Sequence, residues 1–231
     1  MKAEVDSKQN RGLAILQDLK ADILRGYFAP GEKLLMSALK ERYGVGVSPI
    51  REALSQLVSE QLVVAQSQRG FKVSPISRDE LLDIYETRAH IEALALELAL
   101  ERGDDQWEAQ IVAEAHRLFK IDVSSYAADT LLEVWEERHR AFHQAMVKGC
   151  GSVQLLQVRQ ILYDRAERYR RLWLKETLMN AESLARSKAL HQDLLEAVLS
   201  RDKVAVKALI HPHLMKPVEV IKATLSAKQF F

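Results

Sequence analysis

The chain of 231 residues is poor in the features that define several protein classes. Its 1 Cys, Cys150, can form no internal disulfide, which excludes a disulfide-built scaffold and fits a reducing compartment. With 5 Pro and 9 Gly it is too sparing of both for a collagen-like or linker-rich chain. No run of about 18 apolar residues occurs. The most apolar stretch, Ile91 to Leu100, is broken by Glu92 and Glu97, so no membrane span is expected. The first 25 residues carry Lys2, Glu4, Asp6, Lys8 and Arg11 and no apolar signal core, so a cytoplasmic protein with no membrane partner is expected. What remains, 48% hydrophobic and 28% charged, is an ordinary globular composition. At roughly 100 to 200 residues per domain, two small domains are the natural division.

The net charge of +1 hides an asymmetry. Residues 1–76 hold 11 Lys/Arg against 8 Asp/Glu, whereas the remainder is slightly acidic. A mildly basic front suits an electrostatic partner such as nucleic acid. Leu13, Leu16, Leu19, Ile23 and Leu24 recur at helical spacing and stop at Gly26, Pro30 and Gly31. A short second helix is expected over Ser37–Tyr43, ended by Gly44 and Gly46. A third is expected from Pro49 to about Glu60, with Ser48 as its cap. LVVAQ, SQRG and FKVSP then read as a hairpin. Three helices and a hairpin make a winged helix-turn-helix at residues 12–76, behind an N-terminal tail at 1–11. In that motif the start of the second helix of the pair meets base edges and phosphates. Val47, Ser48, Ile50, Arg51 and Ser55 are therefore candidate DNA-binding residues, with Arg69 and Gly70 at the wing tip. The plainer alternative is that Arg51 only pairs with Glu52 or Glu41 and Gly70 only makes a turn.

Beyond Pro75 the pattern is helical throughout, with segments near 77–102, 105–122, 127–149, 152–174, 179–201 and 203–226, so the fold class is mostly α. Residues 77–226 form a helical bundle of six or seven helices, followed by a C-terminal tail at 227–231. Bundles place ligand and metal sites on side chains of facing helices. His139 and His143 stand at i, i+4, and His191 and His213 fall on two later helices, a set able to bind a divalent metal ion such as zinc, copper or nickel. The alternative is a core histidine at His143 with the others at the surface. Arg159, Tyr163 and Arg170 share one stripe of a helix and are candidate effector contacts.

ILRGYFAPGEKL, YGVGVSPIREALSQLVSEQLV and RGFKV resemble the DNA-binding domain of the GntR family of bacterial transcription regulators. Residues 78–222 resemble the FCD ligand-binding domain found in part of that family. The resemblance implies a homodimer on a palindromic double-stranded DNA operator. It also implies a metal site of one Asp-x-x-x-His pair and two further His, matched at His143, His191 and His213, with His139 where the Asp usually stands. An all-His set leaves the +2 charge of zinc, the default metal, uncompensated, which favours an anionic ligand. The family's Arg that enters the recognition helix is replaced by Val47, implying a different operator. Arg88, followed by Glu92, resembles the residue by which family members hold a carboxylate; an ion pair with Glu92 is its plainer reading. ELLDIYETRA, RHRAFHQAMVKGCGS and RYRRLWL are similar to one branch, repressors of an operon handling glutarate and 2-hydroxyglutarate, which implies a small carboxylate effector of the glutarate type.

The expected function is thus a DNA-binding regulator, a repressor rather than an enzyme, released or altered by that carboxylate. The rival reading is a metal-dependent hydrolase on the same His cluster, with Glu136 or Glu137 as general base. A third is an architectural DNA-binding protein whose helical domain only dimerises.

Overall fold

The computed structural model describes residues 2–67, 70–177 and 181–227. Its first unit contains α1 (Lys2–Leu24), β1 (Lys33–Leu34), α2 (Met36–Tyr43), α3 (Val47–Ser59), β2 (Val63–Gln66) and β3 (Gly70–Val73). The three strands form an antiparallel sheet in the order β1-β3-β2, with Leu34 opposite Phe71 and Val63 opposite Val73. Leu19 and Ile23 of α1, Leu39 of α2, Ile50, Leu54 and Leu57 of α3, and Val63 and Val73 of the sheet bury one small core. The helical spacing of these apolar residues is what allows three short helices to share it.

Two expectations are corrected here. Helix α1 starts at Lys2, so residues 2–11 continue the helix instead of forming a separate tail. Helix α3 starts at Val47 behind Gly46, with no side chain capping it, so Ser48 lies inside the first turn. Pro49 is still tolerated there, because the first four helical N–H groups have no intrahelical acceptor.

The second unit is all helical: α4 (Arg78–Arg102), α5 (Asp105–Phe119), a 3-10 turn at Val123–Ser125, α6 (Ala128–Lys148), α7 (Val153–Thr177), α8 (Ala181–Leu199) and α9 (Lys203–Ala227). Helix α4 opens on a serine cap: the Ser77 hydroxyl accepts from the Glu80 N–H at 3.1 Å, the Ser77 N–H donates to the Tyr169 hydroxyl at 3.1 Å, and Asp79 and Glu80 oppose the positive end of the helix dipole. Asp104 caps α5 by accepting from the Trp107 N–H at 2.8 Å. Trp107 is fixed against two glycines. A Cβ at Gly103 would fall 2.1 Å from its ring and one at Gly149 2.9 Å. Its indole N–H donates to the carbonyls of Ala145 and Met146 at 3.0 and 3.1 Å.

The core of this unit runs through Leu96, Ile111, Phe142, Met146, Leu194, Val198 and Ile210. A second cluster, Tyr85, Tyr169, Val218 and Ile221, lies towards the first unit. The two units meet along α1 and α7. Lys20 Nζ lies 2.6 Å from both Glu60 and Asp164, Arg25 Nε donates to Glu133 at 3.2 Å, and Arg168 donates to the carbonyls of Ser74 and Pro75. Among the described residues no helix is long and apolar enough to cross a membrane.

Candidate functional site

The face at the start of α3 is open. Val47 is 39% exposed, and Ser48, Arg51 and Ser55 are exposed along the same side of the helix. Arg51 makes no ion pair with Glu52, Glu41 or any other described residue, so its guanidinium projects unengaged, as base or phosphate recognition requires. Ile50 corrects the expectation for this face. It is fully buried beneath α3 in the small core and touches nothing outside the protein. Periodicity contains the reason: Ile50, Ala53, Leu54 and Leu57 follow the i, i+3, i+4, i+7 rule of a buried stripe. Gly70 opens β3 at φ +88°, a conformation that favours glycine, while Arg69 lies outside the described residues.

The second site is a cluster of histidines inside the helical unit. His139 and His143 come from α6, His191 from α8 and His213 from α9, and one ligand atom from each lies within 4.8 Å of all the others. His143 Nε2 is 3.2 Å from His191 Nε2 and 3.3 Å from His213 Nε2. His191 Nδ1 donates to the Ser187 carbonyl at 2.6 Å, which leaves its Nε2 lone pair facing the cluster. Trp135, one turn before His139, stacks on that imidazole at 4.3 Å and 15° between planes. Burial pushes His139, His143 and His213 well below the usual histidine range, and holds His191 down at about 4. Four neutral imidazoles with ring nitrogens within 4.8 Å of one another form a set of electron-pair donors.

Arginines surround this point. Arg88 of α4 and Arg159 of α7 share the buried carboxylate of Glu92, at 3.4 and 2.8 Å. Arg170 of α7 takes Glu136 through two hydrogen bonds of 2.9 and 2.7 Å, and donates to the Tyr163 hydroxyl at 3.1 Å. The Tyr163 ring has the guanidinium carbons of Arg88, Arg140, Arg159 and Arg170 within 4.7 to 5.5 Å of its centroid. Burial pushes Arg88 below the usual arginine range, with Glu92 opposing, and its charge in turn bears on His139, His143 and His213. Arg140, the fourth arginine at the Tyr163 ring, is paired with Asp164 and Glu167. Arg88 Nε, one Arg159 terminal nitrogen and the Tyr85 hydroxyl are buried without a partner. Buried donors without acceptors are costly, and a carboxylate supplies what they lack.

The plainer expectation for Arg88, pairing with Glu92, is met, and it coexists with an orphaned Nε. Tyr85, Trp135, Glu92 and Glu136 complete the site. Of these, Trp135 and Tyr85 carried a usable signal, one turn before His139 and Arg88 on the same helix faces. The hydrolase reading fails on its base: both Glu136 oxygens are taken by Arg170, and Glu137 is 73% exposed and paired with Arg117.

Comparison with known proteins places the family and the fold. Residues 12–73 match the model of the gntR family of bacterial regulatory proteins, and residues 83–216 match that of the FCD domain. The chain is 47% identical over 208 residues to the HTH-type transcriptional repressor GlaR of Escherichia coli, covering 90% of this chain and 94% of that one. It is 37% identical over 210 residues to the HTH-type transcriptional regulator BphR of Paraburkholderia xenovorans, covering 90% and 84%. The E. coli McbR/YncC structure superposes with a TM-score of 0.77 over 92% of this chain and 97% of that one, at 23% identity, a likeness of fold. A winged domain with an open α3 face, joined to a helical unit, thus places the chain in the gntR family of bacterial regulatory proteins, with an FCD domain: it is a transcription regulator and not an enzyme.

Proposed function

We propose that the chain is a homodimeric repressor that binds a palindromic operator through two α3 faces and changes its grip when a small carboxylate enters the helical unit beside a divalent metal ion. The observation that carries this reading is the meeting of four neutral imidazoles with buried arginines that keep unpartnered donors. The relative named a repressor supports the sign of regulation. The phrases similar to the glutarate-handling branch support glutarate or 2-hydroxyglutarate as the effector.

The donor set fits a metal. Two ligands at ~2.0–2.1 Å from a tetrahedral zinc stand about 3.3 Å apart, and the His143 contacts of 3.2 and 3.3 Å match that spacing. His143, His191 and His213 would hold the ion, with His139 as fourth ligand or neighbour, and the bound ion would supply a Lewis-acidic position for a carboxylate oxygen. Arg88, Arg159 and Tyr85 would receive the rest of the effector through their free donors. A ligand shifts DNA binding only if it binds the DNA-competent and DNA-released arrangements unequally. Helix α7 supplies the route, because it carries Arg159, Tyr163 and Arg170 towards the site and Asp164 and Arg168 towards the winged unit.

The test is a fluorescence-anisotropy titration of the protein against its own upstream intergenic DNA at fixed salt, with random-sequence competitor, with and without millimolar glutarate. Specific binding weakened by glutarate is expected. Specific binding indifferent to glutarate would overturn the effector, and no preference over random DNA would overturn the operator reading.

A further inference from the structure

At the joint between the two units lies a small cavity of about 50 Å³, separate from the histidine site. Its apolar side includes Ile23, Phe28 and Val73 of the winged unit, and three arginines line it: Arg25 from the end of α1, and Arg168 and Arg171 from α7. Arg168 decides what the cavity is for. It is 5% exposed, one terminal nitrogen donates to the Ser74 and Pro75 carbonyls, and the other, Nη1, is buried with no partner. It forms no ion pair among the described residues, whereas Arg171 is held by Glu133 and Glu167, and Arg25 by Glu133. Glu80 attracts Arg168 only at longer range, being engaged by Arg165 and the Tyr169 hydroxyl, and burial still pushes Arg168 below the usual arginine range.

An uncompensated buried cation is costly, and the cost falls when an anion arrives with hydrogen-bond acceptors matched to guanidinium. Water satisfies the N–H groups but leaves the charge. The volume is several times the ~10–15 Å³ that one water needs, and is too small for an extended organic ligand. We infer that this cavity is a binding site for a small inorganic oxyanion of the phosphate or sulfate type, whose charge would compensate that of Arg168 with Arg25 lining the same cavity, and that the bound anion fastens the winged unit to α7. The inference is independent of the proposed effector and metal.

The probe is inorganic phosphate, titrated at constant ionic strength into the full-length protein while its melting temperature is followed, in wild type and in Arg168→Met. A saturable rise of about 2–4 °C, the shift that a modest binding energy gives a chain of this size, is expected for wild type and not for Arg168→Met. Arg51→Ala is expected to keep the rise, which separates the cavity from the DNA face. An equal rise in wild type and Arg168→Met, loss of the rise in Arg51→Ala, or no saturable rise in wild type would overturn the site. If Arg168→Met does not fold, Arg25→Gln decides: its phosphate midpoint is expected to be several-fold weaker, and an unchanged midpoint would overturn the proposal.

Discussion

Neighbouring residues of α3 have opposite duties. Ile50 fills the small core, so Ile50→Ala is expected to cost roughly 2–5 kcal/mol of stability and Ile50→Val roughly 0.5–1.5, while the folded Ile50→Val protein keeps its operator affinity. Arg51→Ala is expected to do the reverse, lowering operator affinity about tenfold or more with an unchanged urea midpoint. Anisotropy and urea unfolding on the same samples separate the two, and an Ile50→Val protein that folds but loses its operator would contradict the burial argument. At the histidine site the pH response has a definite sign. The folded imidazoles are held neutral, His191 down to about 4, while the unfolded chain takes up protons near ~6.5. Stability is therefore complete above pH ~6.5 and is lost as pH falls from there towards 4. Urea midpoints of chelator-treated protein should fall over that window, and less steeply in His191→Gln; a flat profile would show that the cluster is not held neutral. With metal present, His143→Ala is expected to lower bound metal, read by elemental analysis, without unfolding the chain. The pairing of His139 and His143 was legible from their i, i+4 spacing, and His191 and His213 from the resemblance to the FCD domain. The burial of Arg88, Arg159 and Arg170 was not, since it depends on Glu92 and Glu136, and the Glu136 partner sits on a different helix from its arginine.

At the scale of elements, α7 is the part that joins the two units, packing on α4, α6 and α9 of its own unit and on α1 of the winged one. Its Arg159, Tyr163 and Arg170 belong to the proposed effector side, and Asp164 and Arg168, one or two positions away, reach the winged unit or its linker, as 3.6-residue periodicity allows. Lys20→Met and Asp164→Asn should therefore behave as one unit. A double-mutant cycle in urea is expected to give a coupling of ~0.5–3 kcal/mol, and additive effects would mean that the contact carries no energy. The six long helices agree with the sequence pattern to within about three residues at most ends, because Gly103, Gly149 and Asp202 punctuate an otherwise continuous period. β1 went unread because two residues, Lys33 and Leu34, carry no alternation, and their pairing with β3 is a tertiary event. The start of α1 went unread because its first turns are polar and offer no stripe to follow.

For the whole molecule, the proposed dimer sets a geometric expectation. Two α3 faces related by a two-fold axis read half-sites whose centres lie about 10 base pairs, or a multiple, apart. Light scattering should give twice the 26.3 kDa of the chain, and a half-site probe should bind far more weakly than the full palindrome. A monomer with equal affinity for both would end the two-fold model. The order of the two domains was legible from the change of pattern after FKVSPIS. The docking of the winged unit on α7 was not, since Lys20 and Asp164 are 144 positions apart and carry no local mark. The stacking of Trp135 on His139 makes the protein its own optical probe. An indole 4.3 Å from the His139 imidazole shares its electronic surroundings, so occupation of the proposed metal site by a paramagnetic ion such as nickel or copper should dim the Trp135 emission. Light alone then reports when the site fills, with no label on the protein and no DNA in the cuvette.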